Sequence, residues 1–132
     1  MIFSAKAYMK DRIGADVQEK ILYANQALRE RGLTDQQVLY TLALIDHESV
    51  GSWSETIVGD GGCSIGIAQW NKCVGNIAPA TYEEQVQLIA DEMASKFAEF
   101  DDLTALGKHN APSWDYNEKY INKVLESAKN FI

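Results

Sequence analysis

The sequence predicts a mainly α protein of the α+β kind, a helical domain carrying a small β-hairpin or Gly-rich loop lobe. Three observations point there. Apolar residues recur at helical spacing over most of the 132-residue chain. Capping signals open two of those runs. Between the second run and the third, the pattern breaks into Gly51, Gly59, Gly61, Gly62 and Gly66 among Ser, Trp, Thr, Ile and Val, which reads as a tight loop or hairpin.

Taken in order, residues 1–13 have a weak pattern and read as an N-terminal arm or short helix. A helix is expected from Asp16 to Arg31, with Val17, Ile21, Ala24 and Leu28 on one face and Gly32 as its stop. Thr34 and Gln37 form a capping box that opens the next helix. Val38, Leu42 and Ile45 mark its buried stripe, Leu39 and Ala43 widen it, and the helix reaches Glu48 and ends near Gly51. After the Gly-rich stretch a short helix is expected at 65–71. Thr81 and Glu84 cap a helix to Phe97, with Val86, Ile89, Ala90, Met93 and Phe97 on its core face. A short helix at 101–107 and a last one from Tyr116, presenting Tyr120, Val124 and Ala128, complete the chain. No linker, repeat or charge block divides it, so residues 1–132 read as one domain.

Composition narrows the function. The hydrophobic fraction of 46% and charged fraction of 23% are those of an ordinary globular domain. A chain of this length can bury a core without staples. With 19 acidic against 12 basic residues the net charge is -7, which tells against nucleic acid and against an anionic membrane surface. No stretch is long enough to span a membrane. A monomer is expected. The two cysteines, Cys63 and Cys73, are either free or joined in one bridge across a separation of 10.

The chemistry concentrates in two segments. In Ala43-Leu44-Ile45-Asp46-His47-Glu48-Ser49 an apolar helix delivers a carboxylate at its C-terminal end. Apolar surroundings and the negative end of the helix dipole both disfavour an anion there. A carboxyl kept protonated near neutral pH is what glycosidic cleavage needs, since it must give a proton to the leaving oxygen. Taken alone, Glu48 would read as a solvated helix-end glutamate. The second segment, Gly59 to Trp70, is dense in residues that allow close backbone approach. It adds a second carboxylate, Asp60, 12 residues after Glu48, and it offers Ser64 and Gln69 to a sugar. Asp60-Gly61 also fits a type I′ turn.

Glu48-Ser49 at a helix end, then Gly59-Asp60, Ser64 and Gly66-Ile67-Ala68-Gln69, resembles the lysozyme-like superfamily, nearest its soluble lytic transglycosylases and goose-type lysozymes. His109-Asn110-Ala111-Pro112 is similar to the family's Tyr-Asn-Ala-Gly segment, with His109 in place of Tyr. Tyr120-Ile121-Asn122-Lys123-Val124-Leu125 is similar to its C-terminal Tyr-Val-x-x-Val-Leu helix. The motifs fall in the family's order, closely over 39–70 and more loosely over 109–132. The resemblance implies a lysozyme-like fold that cuts the MurNAc–GlcNAc β-1,4 bond of peptidoglycan, with chitin-like oligomers as a lesser substrate and no cofactor or metal. It makes Glu48 the acid, and in the transglycosylases also the base. Ser64, Gln69, Trp70, Tyr120 and Asn110 would line the substrate site.

Two reactions compete within that resemblance. In the goose-type branch Asp60 would hold a water for inverting hydrolysis, which needs a carboxyl separation of about 6.5–9.5 Å. That branch carries a further Asp where this chain has Asn71, and a carboxamide cannot act as a base. A lytic transglycosylase needs only Glu48, because the substrate's own hydroxyl attacks and leaves a 1,6-anhydro sugar. The balance leans to transglycosylation.

Other readings fit less well. His47, His109, Cys63 and Cys73 make up the inventory of a zinc site, but the histidines lie 62 positions apart and the cysteine spacing is wrong for a knuckle. A Cys–His hydrolase built on Cys63 lacks an orienting group. His47 is expected to point about 100° away from Glu48. Of Trp53, Trp70 and Trp114, only Trp70 is expected in the groove. A catalytically silent glycan-binding module would keep the fold and lose the acid, and Glu48 is present. A protein-interaction domain would need an apolar stripe beyond the core's own.

The substrate places the expected site of action at the bacterial cell wall, whether periplasmic, extracellular or virion-associated. The N-terminus lacks the basic region and apolar run of a signal peptide. A phage or secretion-system origin, or excision from a longer exported protein, reconciles the two.

Overall fold

The computed structural model describes residues 14–132; the expectation of an arm at 1–13 lies outside them. Two helices come first, α1 (Ala15–Glu30) and α2 (Asp35–Glu48). Three two-residue strands follow: β1 (Val58–Gly59), β2 (Ser64–Ile65) and β3 (Trp70–Asn71). The chain then closes with α3 (Tyr82–Glu99), α4 (Asp102–Asn110) and α5 (Glu118–Ala128). The molecule is thus mainly helical with a small antiparallel sheet, an α+β arrangement.

Helix α2 is central. Thr34 and Gln37 cap it reciprocally, as the capping box requires. Leu42, Ala43, Leu44 and Ile45 are consecutive and fully buried, which happens only to a helix surrounded on every side. It packs against α5, α1, α4 and α3. The buried apolar residues of all five helices form one continuous cluster. Asp46 is buried in the last turn of α2, accepting hydrogen bonds from Trp53 Nε1 at 3.1 Å and Asn130 Nδ2 at 3.1 Å. That knot fixes the exit from α2, so Glu48 leaves the helix at a defined place.

The sheet runs β1-β2-β3, antiparallel, with Val58 opposite Ile65 and Ile65 opposite Trp70. The turn expected at Asp60-Gly61 is shifted by one residue: the loop spans 60–63, and its hydrogen bond from Cys63 N to Asp60 O centres it on Gly61 (φ 64) and Gly62 (φ 101). The short helix expected at 65–71 is instead the end of β2, a reversal and β3. Gly66 (φ 91) and Gln69 (φ 54) are left-handed there, which no α-helix tolerates. The last two helices also shift: α4 extends to Asn110, and α5 begins at Glu118 behind an Asn117 cap rather than at Tyr116.

Polar side chains build this lobe. Gln85 of α3 is fully buried; its Oε1 accepts from Ile67 N at 3.0 Å, and its Nε2 donates to Glu55 O at 2.9 Å and Pro79 O at 2.8 Å. A Cβ on Gly66 would lie 2.6 Å from Gln85 Oε1, so glycine is required there twice over, for space and for φ. Cys63 and Cys73 are joined in a disulfide. Neither sulfur is then a thiolate, which removes both the zinc and the Cys–His readings. Among the described residues no helix is long and apolar enough to cross a membrane, and no three His, Cys, Asp or Glu are grouped to hold a metal ion.

Candidate active site

A cleft of about 870 Å³ separates the hairpin lobe from the helices. Glu48 lies on it, its side chain 14% exposed, delivered by the last residue of α2. From the residues singled out in the sequence, the cleft also gathers Asp60, Gln69, Trp70, Asn110 and Tyr120.

Ser64 is the exception. It is 1% exposed and does not line the cleft; its hydroxyl donates to Asp60 Oδ2 at 2.6 Å. Its place is therefore behind Asp60, orienting that carboxylate, rather than against a ligand. Gln69 lines the cleft but its Nε2 is committed, donating to Gly66 O at 3.0 Å and Ile57 O at 3.2 Å. Those bonds hold Gln69 in a left-handed conformation that costs a non-glycine residue about 1–3 kcal/mol. A Cβ on Gly59 would collide with Gln69 Oε1, which accounts for glycine at that position. Asn110 Oδ1 accepts from Asn117 Nδ2 at 2.9 Å, fixing the loop between α4 and α5.

The surroundings of Glu48 are not the apolar ones the sequence implied. His109 Nε2 is 3.5 Å from Glu48 Oε2, and His47 Nε2 is 4.0 Å from Glu48 Oε1. His47 thus turns back toward its neighbour instead of away, its ring edge-on to Tyr120 at 5.6 Å. The Tyr120 ring is buried at 6% exposure, and its hydroxyl has no hydrogen-bond partner among the described residues.

His109 is the centre of a charge chain that sequence reasoning did not assemble. Its Nδ1 is 2.5 Å from Glu92 Oε2 and its Nε2 is 2.8 Å from Ala68 O. A carbonyl oxygen can only accept. Glu92 can only accept as well, because it is ionised: burial alone would raise its carboxyl, but the hydrogen bond and charge of His109, with Lys96 at 3.3 Å, outweigh that and hold it at about 2. The Ala68 carbonyl thus requires a proton on Nε2, and the Glu92 carboxylate favours a second on Nδ1, the imidazolium form of His109. Its own burial opposes the charge, but hydrogen bonds to Glu48 and Glu92 and their charges lift it to about 10. The imidazolium also joins the lobes, since Ala68 belongs to the hairpin side and His109 to α4.

The sequence marked His109 only as a departure within its segment. Glu92 carried one faint signal, its i, i+4 spacing from Lys96 along α3. Trp114, 58% exposed, lines the cleft together with the mostly buried Trp70, so the groove holds two tryptophans where one was expected.

No family model matches this chain, and no curated protein or solved structure matches it either.

Proposed function

We propose that this chain is a lysozyme-like enzyme that cleaves the MurNAc–GlcNAc β-1,4 bonds of peptidoglycan, with Glu48 as the acid. The observation that carries the reading is the place of Glu48: a carboxylate at the end of a buried helix, on a cleft that also gathers Asp60, Gln69, Trp70, Asn110 and Tyr120.

In the favoured reaction, lytic transglycosylation, Glu48 gives its proton to the glycosidic oxygen and the C1–O bond breaks. The 6-hydroxyl of the same MurNAc attacks C1, Glu48 takes up that hydroxyl's proton, and a 1,6-anhydro ring closes. The imidazolium 3.5 Å from Glu48 favours the carboxylate: it opposes protonation of the acid before the step and stabilises the carboxylate once the proton has left, a preorganised charge that needs no rearrangement. His109 is in this account a positioning residue. Tyr120 would hydrogen-bond the sugar or Glu48. No metal or cofactor enters the sequence of steps.

One observation favours inverting hydrolysis as a second reading. Asp60 lines the same cleft, with one carboxylate oxygen held by Ser64, as a residue that orders a water would be. Either reading puts the chain's action at the bacterial wall. Mass spectrometry of fragments released from purified peptidoglycan separates them. We expect fragments ending in 1,6-anhydro-MurNAc, with Asp60→Asn reducing the rate only a few-fold. Reducing ends, together with a loss of about 100-fold or more in Asp60→Asn, would transfer the assignment to a hydrolase.

A further inference from the structure

We propose that the α5 wall of the cleft is a carboxylate-binding subsite, formed by Lys119 and Lys123, that reads the acidic lactyl-peptide arm of the glycan strand. The inference rests on the glycan-cleaving function proposed above and names the part of the substrate that wall would take.

The charges on the cleft are not all accounted for within the protein. His109 and Lys96 are committed to Glu92, and His109 also to Glu48. Lys119 and Lys123 line the same cleft yet make no ion pair among the described residues. They stand one helical turn apart on α5, spacing that puts both on one face. Lys119 falls in the first turn of α5, where a cation works against the helix dipole, so helix stability does not explain it.

The protein carries a net charge of -7, so its long-range field does not draw in a polyanion. Lys119 and Lys123 are exposed on the cleft wall and act over a short range instead, on a carboxylate brought up to them. The sugar rings and acetamido groups of the strand are neutral. Its carboxylates sit on the 3-O-lactyl arm, either free or on the peptide amide-linked to it. Those are the groups an ammonium pair would bind.

The test compares kcat/KM of the wild type, Lys119→Gln/Lys123→Gln and Lys119→Arg/Lys123→Arg on two substrates. One is peptide-bearing glycan; the other is the same glycan stripped by an amidase, which leaves a free lactyl carboxylate. We expect the glutamine pair to lose about 10-fold on at least one substrate, the loss to shrink in high salt, and the arginine pair to restore the rate. A loss confined to peptide-bearing strands assigns the subsite to peptide carboxylates; a loss confined to stripped strands assigns it to the free lactyl carboxylate; an equal loss on both means that the lysine pair takes either carboxylate. An active wild type whose glutamine pair matches it on both substrates overturns the subsite alone. A folded wild type that cleaves neither overturns the glycan-cleaving function, and the subsite with it.

Discussion

On α2, four consecutive residues from Leu42 to Ile45 are fully buried against four other helices. Across the cleft, the three strands have two residues each, too short to bury a face of their own. The helical lobe is held by apolar area. The hairpin side adds Trp53, Ile67, Ala68 and Trp70 to the same core, and is also held by directed bonds: the side-chain amides of Gln69 and Gln85, the Cys63–Cys73 disulfide, and the His109 imidazolium on Ala68 O. Apolar burial is non-directional and tolerates small shifts, whereas each of those bonds fixes one backbone group to one atom. The half of the site that faces Glu48 is thereby set by hydrogen-bond geometry, with glycines at Gly59 and Gly66 making room for the two glutamines.

That contrast can be broken at His109 first. His109→Gln takes one of two cations from Glu92, leaving Lys96, and unties the lobes; it should cost about 3 kcal/mol, the low end for a broken buried pair. The loss should also be pH-dependent. The folded value for His109 is raised from 6.5 to about 10, so its contribution is full below 6.5 and disappears as pH rises through about 10. Glu92 is lowered from 4.5 to about 2, so its share is full above 4.5 and disappears as pH falls toward 2. Urea unfolding of the wild type should therefore be most resistant between 4.5 and 6.5. Stability should decline toward pH 10, and that decline should be absent in His109→Gln. An equal alkaline slope in the variant would remove His109 from the account of lobe coupling.

A smaller and more local effect is expected at Gln85. Gln85→Leu keeps the volume but leaves Ile67 N, Glu55 O and Pro79 O without their partner. Hydrogen exchange should report a loss of about 2 kcal/mol at hairpin amides such as Ile67 and Lys72, with α2 amides protected as before. Equal loss in α2 and in the hairpin would mean that the two lobes unfold as one unit and differ less than their bonding implies.

The same contrast explains what could be read in advance. The helices announced themselves because a core stripe repeats along the chain: Ile21, Ala24 and Leu28 on α1, and Val86, Ile89, Ala90, Met93 and Phe97 on α3, are buried as their spacing required. The Thr34–Gln37 capping box fixed one start, and Thr81 capped another, although Glu84 accepts from the Thr81 hydroxyl rather than from the Thr81 amide as a full box requires. The segment at 65–71 misled because Ile65, Ile67, Ala68 and Trp70 carry apolar character without period, while the left-handed turns at Gly66 and Gln69 depend on partners elsewhere in the chain. Glu48 and Asp60 could be singled out because their types and spacing are local. Glu92 and His109 could not be joined, since only the packing of α3 against α4 brings them together. Ser64 was a natural reading as a sugar ligand, and its burial behind Asp60 is a consequence of strand register.

The central claim is that Glu48 supplies the proton that breaks a glycosidic bond. The direct measurement is the release of soluble fragments from purified peptidoglycan by the wild type and by Glu48→Gln, over a range of pH, with thermal melting as the control for folding. The account predicts release by the wild type and a loss of at least about 100-fold in Glu48→Gln, in a variant that still melts cooperatively as a folded protein. A folded Glu48→Gln protein that keeps most of the activity would contradict it.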